Sequence, residues 1–141
     1  MSTTTQSTAA QNKETARRFY AELVTGPHPE LLEEFVAPDA VDETSTGAGG
    51  IEDFRAHLAW IAESAGDVTA TVTDAVAEDD RVVVFWRIEG THTGELFGVP
   101  PTGRRFSGHS VSTITFRDGK IVRYAVLPDR LGIVQQLGAP V

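Results

Sequence analysis

The hydrophobic pattern of this chain changes period once, at Gly66, and that switch constrains the fold more than any other feature. Before it, apolar residues recur at helical spacing. Ala16, Phe19, Tyr20, Leu23 and Val24 form one stripe within Asn12–Thr25. Leu31, Leu32 and Phe35 form another within Pro29–Val36, and Phe54, Leu58 and Ile61 a third within Ile51–Ser64. Gly26-Pro27 and Pro38-Asp39 break these stretches, and Ala40–Glu43 is expected as a short strand. After Gly66 the residues alternate, as half-buried strands require. Val68, Ala70, Val72 and Asp74 oppose Thr69, Thr71 and Thr73. Arg81–His92, Arg104–Arg117 and Lys120–Leu127 read as three longer strands, the last two joined by a tight turn at Asp118-Gly119. A final helix opens at Pro128-Asp129, with Leu131, Val134 and Leu137 expected to face inward. Helices followed by an antiparallel meander make an α+β domain. The expected form is a curved antiparallel sheet shaped as a cone, covered by the N-terminal helices, with a ligand pocket at its open end.

Composition narrows the function. The chain has 141 residues, no internal repeat and no linker, so it reads as a Ser/Thr/Ala/Gln tail over 1–11 and one domain over 12–141. A net charge of −8 disfavours nucleic acid and anionic membrane as partners. With no cysteine, disulfides and thiolate chemistry are excluded. The N-terminus has no basic end or apolar run of the kind a targeting signal needs, so a cytoplasmic location is expected. No nucleotide-binding or nucleophile-elbow motif occurs. His28, His57, His92 and His109 lack metal-ligand spacing, so neither a metal nor an organic cofactor is expected.

Three motifs carry a resemblance. Gly94–Phe106 has the form G-x-x-x-G-x-P-P-T-G-R-x-F between two strands, Asp118–Val122 leads into the last strand, and Gln135–Gly138 closes the final helix. Together they resemble the SnoaL-like polyketide cyclases of the nuclear-transport-factor-like superfamily, over nearly the whole chain. The resemblance implies a cofactor-free enzyme that binds a small apolar, polycyclic polyketide and promotes ring closure or isomerisation. Ring-closing members of the family carry an Asp on the last strand as general acid/base. Here that position is Val126, the family's His two residues earlier is Tyr124, and the polar partner on the preceding strand falls at Ser110 or Ser112.

Proton transfer must therefore come from elsewhere. Asp42, on the short strand, and Tyr124 are the expected catalytic pair, with burial raising the Asp42 pKa toward that of a mild base. Ser110, Ser112, Trp86, Val126, Trp60 and Phe97 are expected to line the substrate site, Tyr124 sharing a face with Val122 and Val126. Asp129 reads as a helix N-cap, Arg104-Arg105 as edge charges or a carboxylate clamp, His57 and His109 as exposed or sheet-face residues, and His92 as a rim residue. Two further readings stay open: an epoxide-hydrolase- or hydroxylase-like relative, and a non-catalytic binder. Apolar residues on both faces of one strand, such as Val83 and Phe85 opposite Val84 and Trp86, lead us to expect a homodimer or higher oligomer through the outer sheet face.

Overall fold

A computed structural model describes residues 8–45 and 49–138. Helix α1 (Ala9–Arg18) begins three residues before the expected Asn12, because Thr8 and Gln11 close a capping box over its first turn. Residues 1–7 of the expected tail lie outside the described residues. The helix continues as a π-helical turn, Phe19–Val24, in which the Thr25 amide donates to the Tyr20 carbonyl at 3.1 Å. This widened turn buries Phe19, Tyr20, Leu23 and Val24 together. A short 3₁₀ turn (Pro29–Leu31) and α2 (Leu32–Phe35) lead into β1 (Val36–Asp42), and α3 (Ile51–Ser64) follows. The strands are then β2 (Thr69–Glu78), β3 (Arg81–Thr91), β4 (Arg105–Arg117) and β5 (Lys120–Pro128), and α4 (Arg130–Gln136) ends the fold.

The sheet overturns the expected cone. It is a five-stranded open sheet in the order β1-β5-β4-β3-β2, and its two edges, β1 and β2, do not meet. It is also mixed, because β1 runs parallel to β5. The meander β2–β5 is antiparallel throughout: tight turns at 79–80 and at Asp118-Gly119, where both residues take positive φ, reverse the chain from β2 to β3 and from β4 to β5, and the longer segment 92–104 returns it from β3 to β4. Strand β1 joins from before α3, so no hairpin dictates its direction. The pocket walls therefore come from helices laid on one face, not from closure of the sheet.

Two β-bulges also revise the expected faces. Thr73 is skipped between the Val72–Trp86 and Asp74–Phe85 pairs, so Ala75 and not Asp74 is buried. Val122 is skipped between Thr115–Arg123 and Phe116–Ile121, so Ile121 and not Val122 points inward with Tyr124. Strand β4, by contrast, alternates without interruption, with Phe106, Ser110, Ser112, Ile114 and Phe116 buried. Helix α4 buries Ile133 and Leu137 and leaves Leu131 more than half exposed, because it crosses β4 at Gly108. A Cβ there would lie 2.7 Å from the Ile133 side chain.

A histidine–carboxylate pair at an apolar cavity

Between the sheet and the helices lies a cavity of about 630 Å³, within the range of small-molecule sites. Its wall is largely apolar, with Leu23, Phe54, Ile61, Ile88 and Val126 among the contributors. Polar side chains also line it, among them Tyr20, Tyr124, Ser110, the carboxylates Asp53 and Glu95, Arg130 and His57, which is hydrogen-bonded from behind by a buried carboxylate.

Asp42 ends β1 and is fully buried. Its Oδ1 accepts the Thr44 amide at 3.0 Å and the Thr44 hydroxyl. Its Oδ2 meets His57 Nδ1 at 3.0 Å. Burial pushes this carboxyl up, but the His57 and Thr44 hydrogen bonds and the imidazole charge outweigh it, so its pKa is held below the ordinary value. This corrects the raised pKa expected from burial alone. Asp42 also does not reach the cavity, whose wall at this point is His57. An ionised carboxylate takes only donors, so it fixes the proton on Nδ1 and turns Nε2 away from itself. Asp42 thus holds the His57 ring from behind the wall, and His57, expected as an exposed or sheet-face residue, is the member of the pair that lines the cavity.

Tyr124 sits beside this pair. It is Asp42's register partner across β1 and β5, and its ring lies 6.2 Å from that of His57, edge-on. Its phenol belongs to a buried network centred on Ser112. Ser112 Oγ accepts from Tyr20 OH at 2.6 Å and from Trp86 Nε1 at 3.0 Å. With both lone pairs used, the Ser112 proton goes to Tyr124 OH at 3.4 Å. The Tyr20 proton is committed to Ser112, so Tyr124 keeps its own for Tyr20 oxygen, 3.3 Å away, or for a ligand. Burial raises the pKa of Tyr124, and more strongly that of Tyr20, so both stay protonated donors.

The other expected site residues divide clearly. Ser110, Trp86, Val126, Trp60 and Phe97 line the cavity, and Val126 contributes a methyl surface where a carboxylate was implied. Ser112 does not line it but stands behind the wall as the hub of the network. Asp129 caps α4, accepting from the Gly132 amide at 3.0 Å. Arg105 pairs with Asp67 at 3.0 Å, and Arg104 reaches the Gln136 carbonyl, so neither forms a ligand clamp. His109 is exposed on the outer face. His92 is fully buried and not a rim residue. Its Nδ1 accepts the Thr102 amide at 3.1 Å and its Nε2 donates to the Val99 carbonyl at 3.1 Å. That pair of bonds ties down the loop of the P-P-T-G-R motif. Sequence reasoning missed His57 and Tyr20 as site residues. The available signal was His57's place beside the inward stripe of α3, one residue before Leu58.

Among the described residues no three His, Cys, Asp or Glu side chains converge as metal ligands do, and no helix is long and apolar enough to cross a membrane.

The profile of the SnoaL-like polyketide cyclases matches residues 14–137. The chain is 36% identical over 112 residues to aklanonic acid methyl ester cyclase DauD of Streptomyces sp. (strain C5), covering 78% of this chain and 68% of that protein. It is 34% identical over 130 residues to aklanonic acid methyl ester cyclase DnrD of Streptomyces peucetius, covering 88% of each. Among solved structures, TsrD of Streptomyces laurentii superposes with a TM-score of 0.79 at 30% identity, over 93% of this chain and 95% of that one. IdmH of Streptomyces antibioticus gives 0.77 at 31% identity, over 92% and 99%. Fold, motif loop and sequence agree, and the chain belongs to the SnoaL-like polyketide cyclase family.

Proposed function

We propose that the protein is an enzyme that closes or isomerises a ring in an apolar polyketide intermediate, with His57 as the base, Asp42 as its anchor and Tyr124 as the donor to the developing oxyanion. The observation that carries this is the Asp42–His57 pair opening onto an apolar cavity beside Tyr124. A buried carboxylate that fixes the imidazole tautomer is the arrangement by which a neutral Nε2 becomes an oriented base.

The chemistry is an internal aldol addition and balances without a co-reactant. His57 Nε2 takes a proton from a carbon next to a carbonyl, and the C–H electron pair becomes an enolate. Its oxygen accepts a hydrogen bond from the Tyr124 hydroxyl, while the Tyr20 proton stays with Ser112 behind it. The enolate carbon attacks a ketone carbon of the same molecule, forming a C–C bond, and the new alkoxide takes the proton back from His57. The cavity holds the chain in the folded conformer, which supplies much of the rate. His57 thus takes over the task the family resemblance assigned to the position of Val126. The convergence of two buried phenols and an oriented imidazole favours an enzyme over a passive binder.

The test uses the substrates named for the relatives. Purified protein is incubated with aklanonic or nogalonic acid methyl ester and the mixture followed by mass spectrometry and chromatography. Ring closure gives a product of unchanged mass and new retention time. If His57→Gln converts as fast as wild type, the assignment fails.

We also propose that two copies pair through the outer sheet face. Phe85, Val111 and Leu127 lie in one register row, with Val76, Val83 and Ala125 in the next. Leu127 is 75% exposed and Val76 56%. Around this patch stand Asp74, Glu78 and Glu89 with Arg81, Arg87 and Arg123, so a two-fold axis can set opposite charges together.

A further inference from the structure

One stretch of the cavity wall is not used by the reaction above. Arg130 lines the cavity and places its guanidinium carbon 4.9 Å over the Phe97 ring. Phe97 in turn packs against Trp60 at 5.7 Å, and Trp60 against His57 at 6.1 Å. The four residues form a continuous ledge from the base to the guanidinium. Phe97 holds φ at 50°, a conformation an aromatic residue adopts only when its surroundings impose it. Those surroundings are the Leu96–Val99 bridge and the His92 bonds that fix the same loop.

Arg130 makes no ion pair with a carboxylate among the described residues, and its neighbour Asp129 is occupied by the Gly132 amide. Among the described side chains lining the cavity it is the one guanidinium or ammonium. Ser110, two positions on the chain register from it through the Ser110–Pro128 pair, lines the same wall. Its hydroxyl has no protein hydrogen-bond partner among the described residues, though the residue is 3% exposed.

Resting on the reading of the cavity as a polyketide site, we propose that its Arg130 end is an acid subsite. The preferred ligand is a flat, otherwise apolar aromatic molecule with one ionised carboxylate at its edge, and the corresponding methyl ester still enters, about fivefold more weakly. Arg130 pairs that carboxylate, and the rings lie along Phe97 and Trp60 toward His57. An unpaired guanidinium backed by an aromatic face suits a planar carboxylate, which it meets with two parallel N–H donors.

The test compares anthraquinone-2-carboxylate with its uncharged methyl ester, by titration calorimetry and by quenching of tryptophan emission. Wild type is expected to bind the acid about fivefold more tightly than the ester, the upper range for a partly exposed charge pair. That preference shrinks as salt rises. Arg130→Gln, an exposed substitution, should abolish the preference while the ester affinity holds. Phe97→Leu should weaken both probes alike. Equal binding of acid and ester by wild type, or a preference that survives Arg130→Gln, overturns the acid subsite and leaves the role of His57 standing. Failure of both probes to bind overturns the subsite together with the aromatic-ligand reading of the cavity.

Discussion

Replacing Asp42 by Asn keeps the shape of the site and removes the charge that orients His57. The carboxylate accepts the two Thr44 donors on one oxygen and His57 Nδ1 on the other. An amide offers a single acceptor oxygen. If that oxygen stays with Thr44, the amide NH₂ faces Nδ1, which must then carry a lone pair, and the proton moves to Nε2. The cavity then meets a donor where it needs a base. Loss of the correct tautomer in comparable pairs lowers kcat by up to about 10⁴-fold. With a tenfold rate change per ~1.4 kcal/mol, that is ~5.5 kcal/mol of barrier. The fold loses far less, about 1.5–3 kcal/mol for one charge-assisted hydrogen bond. The assay is kcat and KM on the accepted substrate, beside a thermal melt and ligand affinity. The expected result is a kcat at least about 100-fold lower, with affinity nearly unchanged and the melt still cooperative. Turnover within twofold of wild type, by a folded variant, would refute the argument that Asp42 acts through His57.

Tyr124→Phe removes the donor, and the Tyr20 proton is committed to Ser112, so kcat should fall ~100-fold or more, as for the loss of an isolated oxyanion donor. Adding Val126→Asp to His57→Gln puts a carboxylate on the cavity wall and should recover part of the lost turnover in the same assay; no recovery would show that the position cannot serve. His92→Phe breaks both ties to the motif loop and should cost about 2–4 kcal/mol in denaturant unfolding. Because the Asp42 pKa is depressed, its stabilising contribution is complete above the ordinary value of 3.8 and is lost as the pH falls through the lower folded value. The stability gap between wild type and Asp42→Asn should therefore be constant near neutrality and close below about pH 4. Light scattering at micromolar concentration should give a dimer, and Leu127→Glu a monomer.

The order of elements was legible in the sequence because burial imprints a period on a chain. Helix α3 occupies the residues its stripe marks, β4 alternates along its whole length, and Asp118-Gly119 turns as that pair of residues must. Asp129 caps its helix for an equally local reason. Periodicity reports which side of an element is buried, but not what lies against it. The parallel pairing of β1, the bulges at Thr73 and Val122 and the open sheet all depend on partners distant in sequence, so alternation alone assigned Val122 and Asp74 to the wrong face. The site has the same history. Asp42 and Tyr124 stood out as polar groups on apolar strands, yet their roles came from neighbours that only packing supplies. His57 reaches Asp42 from a helix 15 residues away, and Tyr20 and Tyr124 meet at Ser112 from opposite ends of the chain. Hydrogen-bond partners across a core depend on crossing geometry and side-chain reach, which a one-dimensional pattern does not encode. The sequence by itself therefore determined the elements and most of their buried stripes, and the tertiary structure decided the exceptions, such as Asp74, Val122 and His92, and which of the buried groups touch.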